Sequence, residues 1–202
     1  MLRGAASNRE FEQDTDLAAI FAQGTWNVTD LSRVIVGARY TAETKEATRT
    51  QYHVSNTGVA LPQGGPSDPY NIIWSQFKID PHSISGDRDE SGFTPLITLQ
   101  HDLNGTDMLY ASFTTGFKSG GFDMRANQSI NPDADEPYQE ETVDTYELGV
   151  KSEWLDRRLR LNAAVFTSAY DDMQVTVQRA VNNTVASQVL NAASADINGI
   201  EL

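Results

Sequence analysis

Hydrophobic and polar residues alternate along most of this chain with a period of two. Residues 109–123, LYASFTTGFKSGGFD, show the pattern clearly before it breaks into a glycine-rich stop. Because successive side chains of a strand point to opposite faces, this alternation predicts a β-strand with one apolar and one polar face. The apolar face holds Leu109, Ala111, Phe113 and Phe117, and the polar face holds Tyr110, Ser112, Thr114 and Lys118.

The same alternation recurs along the chain, whereas helical periodicity is scarce. It predicts seven strands, at residues 17–28, 32–46, 91–102, 107–121, 141–155, 158–178 and 185–202. Residues 1–16 form a leading segment before the first strand in this interpretation. The predicted fold is therefore all-β and antiparallel, with consecutive strands running up and down.

The predicted connectors alternate between short and long. Residues 29–31, 103–106 and 156–157 are short, and Asn104-Gly105 in the second of them is a turn signal. The connectors at 47–90, 122–140 and 179–184 are longer. Tight turns at one end and long loops at the other are typical of outer-membrane β-barrels, so the pattern favours a transmembrane barrel segment.

The turn at residues 156–157 sets the register of the strands around it. It places Trp154 opposite Leu159, so that apolar side chains meet on one face. The same register places Glu153 opposite Arg160, so that opposite charges meet on the other face. A slip of one residue would bring charge onto the apolar face, so turn length and face pattern agree.

Two tryptophans lie next to short turns on the predicted apolar face. The turn at residues 29–31 sets Trp26 opposite Val34, and Trp154 precedes the turn at 156–157. Aromatic residues form such girdles where a barrel meets the membrane surface. A soluble β-sandwich with exposed charges remains an alternative, because its strands also alternate.

Composition narrows the possible functions. The chain has 202 residues, a net charge of −13 and no cysteine, so a basic nucleic-acid surface, disulfides and thiolate metal sites are excluded. No apolar run is long enough for a membrane helix, but barrel strands need none. No Ser/His/Asp or paired-carboxylate arrangement can be placed, so we expect no enzyme, no catalytic residue and no cofactor.

The glycine-rich stop GFKSGG is not expected to bind a nucleotide. A phosphate-binding loop needs glycine directly before Lys-Ser and a helix after it, whereas Phe117 precedes Lys118 here. The glycines instead allow a strand to kink as it leaves a barrel rim. Lys118 is expected to form a salt bridge at that rim, with a contact to a plug or solute as the alternative.

Acidic residues and histidines suggest no strong metal site. Residues 131–147 contain seven carboxylates and no basic residue, and we expect a solvated acidic loop rather than a calcium site. Glu147 is expected within a strand on the polar face, where it could pair with Lys151 or Arg160. The three histidines, His53, His82 and His101, are expected to be isolated surface residues.

The long connectors supply the candidate ligand contacts. Aromatic and basic residues on loops often bind ligands, although they also pack against neighbouring loops. Weak candidates for ligand binding are Trp74, Arg88, Arg125 and Tyr138. No metal-binding residue is nominated.

Several ordered blocks resemble one family. They are LYASF at 109–113 running into GFKSGGF at 116–122, YELGVKSEW at 146–154, RLNAAVF at 160–166 and YDDMQ at 170–174. NAA at 191–193, GIEL at 199–202, FAQ at 21–23 and VGARY at 36–40 also fit. Together they resemble the C-terminal part of the β-barrel of TonB-dependent outer-membrane receptors.

The resemblance implies a 22-strand barrel, of which this chain would hold about seven strands. Residues 1–202 would then be a partial barrel domain without a plug domain. The implied function is uptake of a scarce solute across the outer membrane, most often an iron–siderophore complex. The implied partners are outer-membrane lipid, the solute and, through the plug domain, the TonB–ExbB–ExbD system. An unplugged porin-like segment remains an alternative.

Overall fold

A seven-stranded antiparallel sheet makes up nearly the whole structure. The computed structural model describes residues 5–63, 68, 70–125, 127–131, 135–181 and 184–202. The strands are β1 (Ala5–Asn27), β2 (Ser32–Ser55), β3 (His82–Asp102), β4 (Asp107–Lys118), β5 (Glu141–Trp154), β6 (Leu159–Val181) and β7 (Thr184–Glu201), with a short helix α1 (Asn71–Gln76) after β2. Each strand pairs with the next along the chain, and β1 and β7 form the two edges.

The all-β antiparallel prediction is therefore confirmed, and the sheet is open rather than closed. Among the described residues, no helix has the length and apolarity needed to cross a membrane. Parts of several predicted connectors, namely residues 64–67, 69, 126, 132–134 and 182–183, lie outside the described residues, as do residues 1–4 of the leading segment.

Three strands are much longer than the hydrophobic alternation indicates. The structure begins β1 at Ala5 instead of residue 17, extends β2 to Ser55 and begins β3 at His82. The prediction of a loop throughout residues 47–90 is thus wrong, and only residues 56–81 connect the two strands. These extra lengths carry mainly polar residues on their outward side, so no continuous apolar row predicts them.

The predicted registers are confirmed. Trp26 lies opposite Val34 across β1 and β2, and Trp154 lies opposite Leu159 across β5 and β6. The Arg160 guanidinium donates to the Glu153 carboxylate at 2.7 Å. The turn between β5 and β6 comprises residues 155–158, two residues longer than predicted, without any change in the pairing.

One face of the sheet, here called the outer face, is apolar and uncovered near the short turns. Leu99 and Leu148 on this face are 53% and 57% exposed, and both tryptophans of the predicted girdle are exposed on it. The opposite inner face is polar, yet Arg49 and His53 on it are only 3% and 0% exposed. A sheet stabilised in water would show the reverse distribution, so the outer face fits contact with lipid.

The outer face changes character partway up the strands. Tyr40 pairs with Phe93 near the boundary, and Ala42 pairs with Ser91 just beyond it. β2 has 24 residues, which at about 3.3 Å per residue is about 80 Å, whereas about 10 residues cross a membrane. We call the apolar part the membrane band and the remainder of β1–β3 (residues 5–16, 43–55 and 82–90) the loop-side half.

Phe117 departs from its predicted position. The pairing of β3 with β4 ends at Leu96 and Thr114, and beyond that point the Phe117 ring packs over Gly92. Gly92 pairs with Thr41 and lies on the inner face by strand parity. Phe117 therefore covers an inner-face glycine instead of continuing the apolar row of Leu109.

Candidate functional site

The loop-side half separates charge between its two faces. Its outer face carries seven carboxylates and no basic residue: Glu10, Glu12, Asp14, Asp16, Glu46, Asp87 and Asp89. Its inner face carries four cations, Arg9, Lys45, Arg49 and Arg88, with only two carboxylates, Glu43 and Glu90. Strand alternation produces this separation, because odd and even positions face opposite sides. The inner face is thus locally basic in a strongly acidic chain.

Four of these inner-face charges neutralise one another. Lys45 approaches Glu43 at 2.9 Å, and Arg88 approaches Glu90 at 2.5 Å. Both pairs lie side by side, because Glu43 is opposite Glu90 and Lys45 is opposite Arg88. The two ion pairs leave no excess charge in this part of the face.

The segment between β4 and β5 folds inward over the inner face. Lys45 Nζ donates to the Gly120 carbonyl at 2.7 Å, and Arg49 Nε donates to the Met124 carbonyl at 3.0 Å. At the other side, an Asp123 carboxylate oxygen accepts from the Val189 amide of β7 at 2.9 Å. This segment therefore spans from β2 to β7, and the sheet curls around it with the inner face concave.

Arg49 and His82 form a polar contact beneath that segment. An Arg49 amino group donates to His82 Nε2 at 2.9 Å, while His82 Nδ1 lies 2.8 Å from the Asp80 carbonyl. These partners fit a neutral imidazole that carries its proton on Nδ1. Burial lowers the pKa of His82, the carbonyl of Asp80 partly opposes this, and the Arg49 charge lowers the pKa further.

Arg49 itself is a buried cation held by neutral groups. Within the described residues it forms no ion pair with a carboxylate; its partners are Met124, His82 and Gln51. Burial lowers the pKa of Arg49, and the neighbouring Arg9 guanidinium lowers it further. The Asp123 carboxylate acts in the opposite direction. Arg9 and Arg49 are consequently the two cations on the inner face of the loop-side half for which the described residues supply no ion pair.

Trp74 anchors the segment between β2 and β3. It lies in α1, is 1% exposed, and stacks on His53 with ring centroids 3.8 Å apart. His53 Nε2 lies 2.9 Å from the Ile79 carbonyl. The prediction of His53 as a surface histidine is therefore wrong, because the folded-in segment covers it.

The other three sequence candidates lie close to the basic inner face. Arg88 belongs to β3 rather than to a loop, and it donates to Gln139 at 3.0 Å. Arg125 approaches Asp123 at 3.1 Å and donates to Thr176 at 3.2 Å. The Tyr138 carbonyl accepts from the Gly121 amide at 3.0 Å.

Nearby charges also shift the pKa of Tyr138. Burial raises the pKa of its phenol first of all, and the carboxylates of Asp123 and Glu90 raise it further. Arg125 acts in the opposite direction. The structure thus brings Tyr138 and Arg125 into one electrostatic environment, whereas Trp74 lies in a separate packed contact.

The sequence prediction did not nominate Arg9 or Arg49 as site residues. Arg9 falls in the expected leading segment, and Arg49 falls in the expected long loop. The available signal is that basic residues at odd positions continue the inner-face parity of β1 and β2 beyond the apolar stretch. A cavity of about 270 Å³ is lined by Arg9, Arg125, Asn127, Asn131 and Gln188, among others.

Two predictions about individual charges have different outcomes. Lys118 lies 3.8 Å from Glu141 at the end of β4, which confirms the rim salt bridge. Glu147 pairs with neither Lys151 nor Arg160, which corrects that prediction. Its carboxylate accepts from the Tyr110 hydroxyl at 2.5 Å, because Tyr110 projects across Gly149, its cross-strand neighbour.

The acidic run at residues 131–147 is only partly a loop. Glu141 and the residues after it belong to β5, and residues 132–134 lie outside the described residues. Among the residues that the structure describes, no three His, Asp or Glu side chains are grouped so that they could hold a metal ion. GFKSGG leads into an irregular segment, with no described helix after Ser119.

Comparison with known proteins gives one family and several similar structures. The family model for the TonB-dependent receptor-like beta-barrel matches residues 3–202. The ferric yersiniabactin uptake receptor FyuA from Yersinia pestis is similar, with TM-score 0.68 and 19% identity over 96% of this chain and 24% of that one. The ferric-catecholate import receptor Fiu from E. coli K12, in its closed form, gives 0.61 and 15% over 94% and 25%. The chain thus spans about a quarter of those proteins.

Proposed function

We propose, since the chain belongs to the TonB-dependent receptor-like beta-barrel family, that it forms part of the wall of a receptor importing an iron–siderophore complex. The family and the fold are those of transport receptors of the bacterial outer membrane. In this proposal the chain contributes wall and mouth to transport and catalyses no reaction. The plug domain and the TonB–ExbB–ExbD system complete the machinery.

The observation that carries the proposal is the inverted burial of the sheet. Apolar side chains such as Leu99 and Leu148 are exposed on the outer face, while polar side chains such as Arg49 are covered on the inner face. Lipid hydrocarbon accepts the first arrangement, and a hydrated lumen with inward-folded loops accepts the second. A soluble β-sandwich would leave these leucines in water.

The open edges indicate what the chain lacks by itself. Among the strands that the structure describes, β1 and β7 each have one side without a partner, and unpaired backbone groups are not tolerated in hydrocarbon. We therefore propose that the remaining strands of a 22-strand barrel pair with these edges. The 202-residue chain alone should not form a pore, and stable single-channel conductance from it in a planar bilayer would contradict this.

Two observations support an iron–siderophore complex as the solute: the names of the similar receptors and the residues at the loop side of this chain. FyuA is described as a ferric yersiniabactin uptake receptor and Fiu as a ferric-catecholate import receptor. Basic and aromatic residues at the loop side, including Arg88, Arg125 and Tyr138, are proposed as solute contacts. Trp74 would act by holding the segment after β2 in place. The acidic outer face argues against nucleic acid as a partner.

Uptake of radioactive iron tests the function. Cells with and without the complete receptor are supplied with ⁵⁵Fe-loaded siderophores, in backgrounds with and without TonB. We expect uptake that requires both the receptor and TonB. Uptake that needs the receptor but continues without TonB would favour the unplugged porin-like alternative and contradict the proposal.

Spin labels along β5 test the wall separately. Labels at Tyr146, Leu148 and Val150 of the complete receptor in bilayers should contact oxygen dissolved in the lipid, whereas labels at Glu147 and Lys151 should not. The reason is that side chains alternate between lipid and lumen. Equal oxygen contact at all five positions would refute the barrel orientation.

A further inference from the structure

The cavity beside Arg9 lies between the loop-side half and the inward-folded segment, and its lining residues define its chemistry. Arg9 lines it from β1, residues 185–188 line it from β7, and Arg125, Asn127 and Asn131 line it from the inward-folded segment. The first and last strands of the sheet therefore face one another across it. Its volume of about 270 Å³ is too small for a whole siderophore complex and suits one or two polar arms of a ligand.

The guanidinium groups of this cavity have donors to spare. The Arg9 Nε donates to Gln51 at 2.9 Å, and within the described part of the chain no carboxylate forms an ion pair with Arg9. Arg125 uses Nε for Asp123 and one amino group for Thr176, so its other amino group has no hydrogen-bond partner among the described residues. Both side chains are solvent-exposed.

The surroundings favour a negative charge in the cavity. Arg9 and the buried Arg49 repel each other, and the neighbouring ion pairs of Lys45 and Arg88 supply no spare carboxylate. Asp123 faces Arg125 but also accepts from the Arg125 and Val189 backbone amides, so its charge is dispersed over several donors. An anion bound by Arg9 in the cavity would offset the repulsion between Arg9 and Arg49.

We propose that Arg9 and Arg125 bind a carboxylate arm of an anionic ferric complex in this cavity. The inference rests on the proposed function and narrows its solute to complexes that carry free carboxylates. A planar guanidinium presents two parallel N–H donors that match the two oxygens of a carboxylate, which an ammonium group cannot do. The position at the loop side places the cavity where a solute would arrive from outside.

Binding to the complete receptor in detergent micelles tests this inference. The probes are iron(III)–citrate, which is anionic and bears carboxylates, and neutral iron(III) tris(acetohydroxamate). The variants are Arg9→Gln, Arg125→Gln and both together. Arg157→Gln is the matched control, because it removes the same charge from an exposed turn outside the cavity. We expect each cavity variant to weaken iron(III)–citrate binding by about tenfold and to leave hydroxamate binding unchanged.

Two further variants address charge and geometry. Arg9→Lys keeps the charge but loses the paired donors, so it should recover only part of the affinity for iron(III)–citrate. Ser187→Asp adds a carboxylate to the wall of the cavity and should weaken binding as much as an arginine loss. No preference for the anionic probe, or equal loss for both probes, would overturn the inference.

The outcomes separate this inference from the proposed function. If uptake depends on TonB but the cavity variants bind iron(III)–citrate as the unaltered receptor does, the carboxylate site is wrong and the proposed receptor function stands. If the cavity variants bind iron(III)–citrate more weakly but uptake continues without TonB, the carboxylate site stands and the proposed mechanism of import is wrong.

Discussion

The membrane band and the loop-side half are built from the same strands but differ in what their outer faces contact. In the band, the outer face shows Leu99 and Leu148 to its surroundings. In the loop-side half, the outer face shows mainly polar and acidic side chains, with Ala6 and Val54 at its far end, and the inner face carries cations beneath inward-folded segments. In the proposed membrane orientation, the boundary between the two regions marks where lipid gives way to water.

The backbone geometry of the strands is the same in both regions, whatever surrounds their outer face. Backbone pairing runs without interruption from Trp26 opposite Val34 to Ala5 opposite Ser55. Only the chemical type of the outward residue changes along this ladder. The inner face is mainly polar along this ladder, but Phe11, Ala47 and Ile84 form a small apolar cluster on it next to Phe122 of the inward-folded segment.

A charge placed on each outer face gives the largest expected contrast. Leu148→Arg should destabilise the barrel by about 2–4 kcal/mol, because an arginine within the membrane band loses hydration. Thr48→Arg, its counterpart on the exposed outer face of the loop-side half, should change stability by less than about 0.5 kcal/mol. Urea unfolding of the complete receptor in lipid bilayers measures both. Equal costs would remove the distinction between the regions.

Removing Arg49 tests what anchors the inward-folded segment between β4 and β5 to the loop-side half. Arg49→Gln loses the hydrogen bonds to Met124 and His82, and charged hydrogen bonds contribute about 1.5–3 kcal/mol each in buried sites. We expect faster proteolysis of residues 119–131 with unchanged unfolding of the membrane band. Arg157→Gln serves as the exposed control, and the same proteolysis in that variant would contradict a specific anchor.

Acidification should loosen the loop-side half before the membrane band. The folded structure lowers the pKa of His82 from its ordinary value of 6.5, so the unfolded segment binds a proton first as the pH falls. The stabilising contribution is present above pH 6.5 and is lost as the pH falls through the folded pKa. Protonation would also turn a new N–H toward Arg49.

Hydrogen exchange at pH 7.5 and pH 5 measures this effect in residues 80–84 and 122–125. Protection should fall at the lower pH in the unaltered receptor. His82→Gln, which has no titrating ring, should show a smaller pH dependence. An unchanged pH dependence in that variant would assign the effect to another group.

The acidic outer face offers the smallest effect. Glu46 lies between Asp14 and Asp87 on adjacent strands, and like charges directly opposite destabilise a sheet. Glu46→Gln should stabilise the loop-side half by about 0.2–1 kcal/mol at low salt. The gain should shrink in 0.5 M salt because of screening. A gain that does not respond to salt would point to a cause other than repulsion.

The accuracy of the sequence prediction follows the same division. Alternation located all seven strands and placed Trp154 opposite Leu159, because an apolar row can face only one side. It failed for residues 5–16, where Asp14 and Asp16 face outward and no apolar row exists. Of the residues at the candidate site, Arg125 and Tyr138 were nominated from the sequence as loop residues, and their role stays a prediction. Arg9 and Arg49 were not nominated, because they lie in parts of β1 and β2 that were not predicted as strands.

The strand order, the faces and the register near the short turns follow from the amino-acid sequence, since these depend on neighbours close in the chain and on the period-two alternation of side chains. The burial of His53 beneath Trp74, the contact of Asp123 with β7 and the shared cavity of Arg9 and Arg125 could not be predicted from the sequence and are visible only in the folded chain. Those contacts join residues far apart in the chain, and they arise because the sheet curls and the long connectors fold onto its concave face.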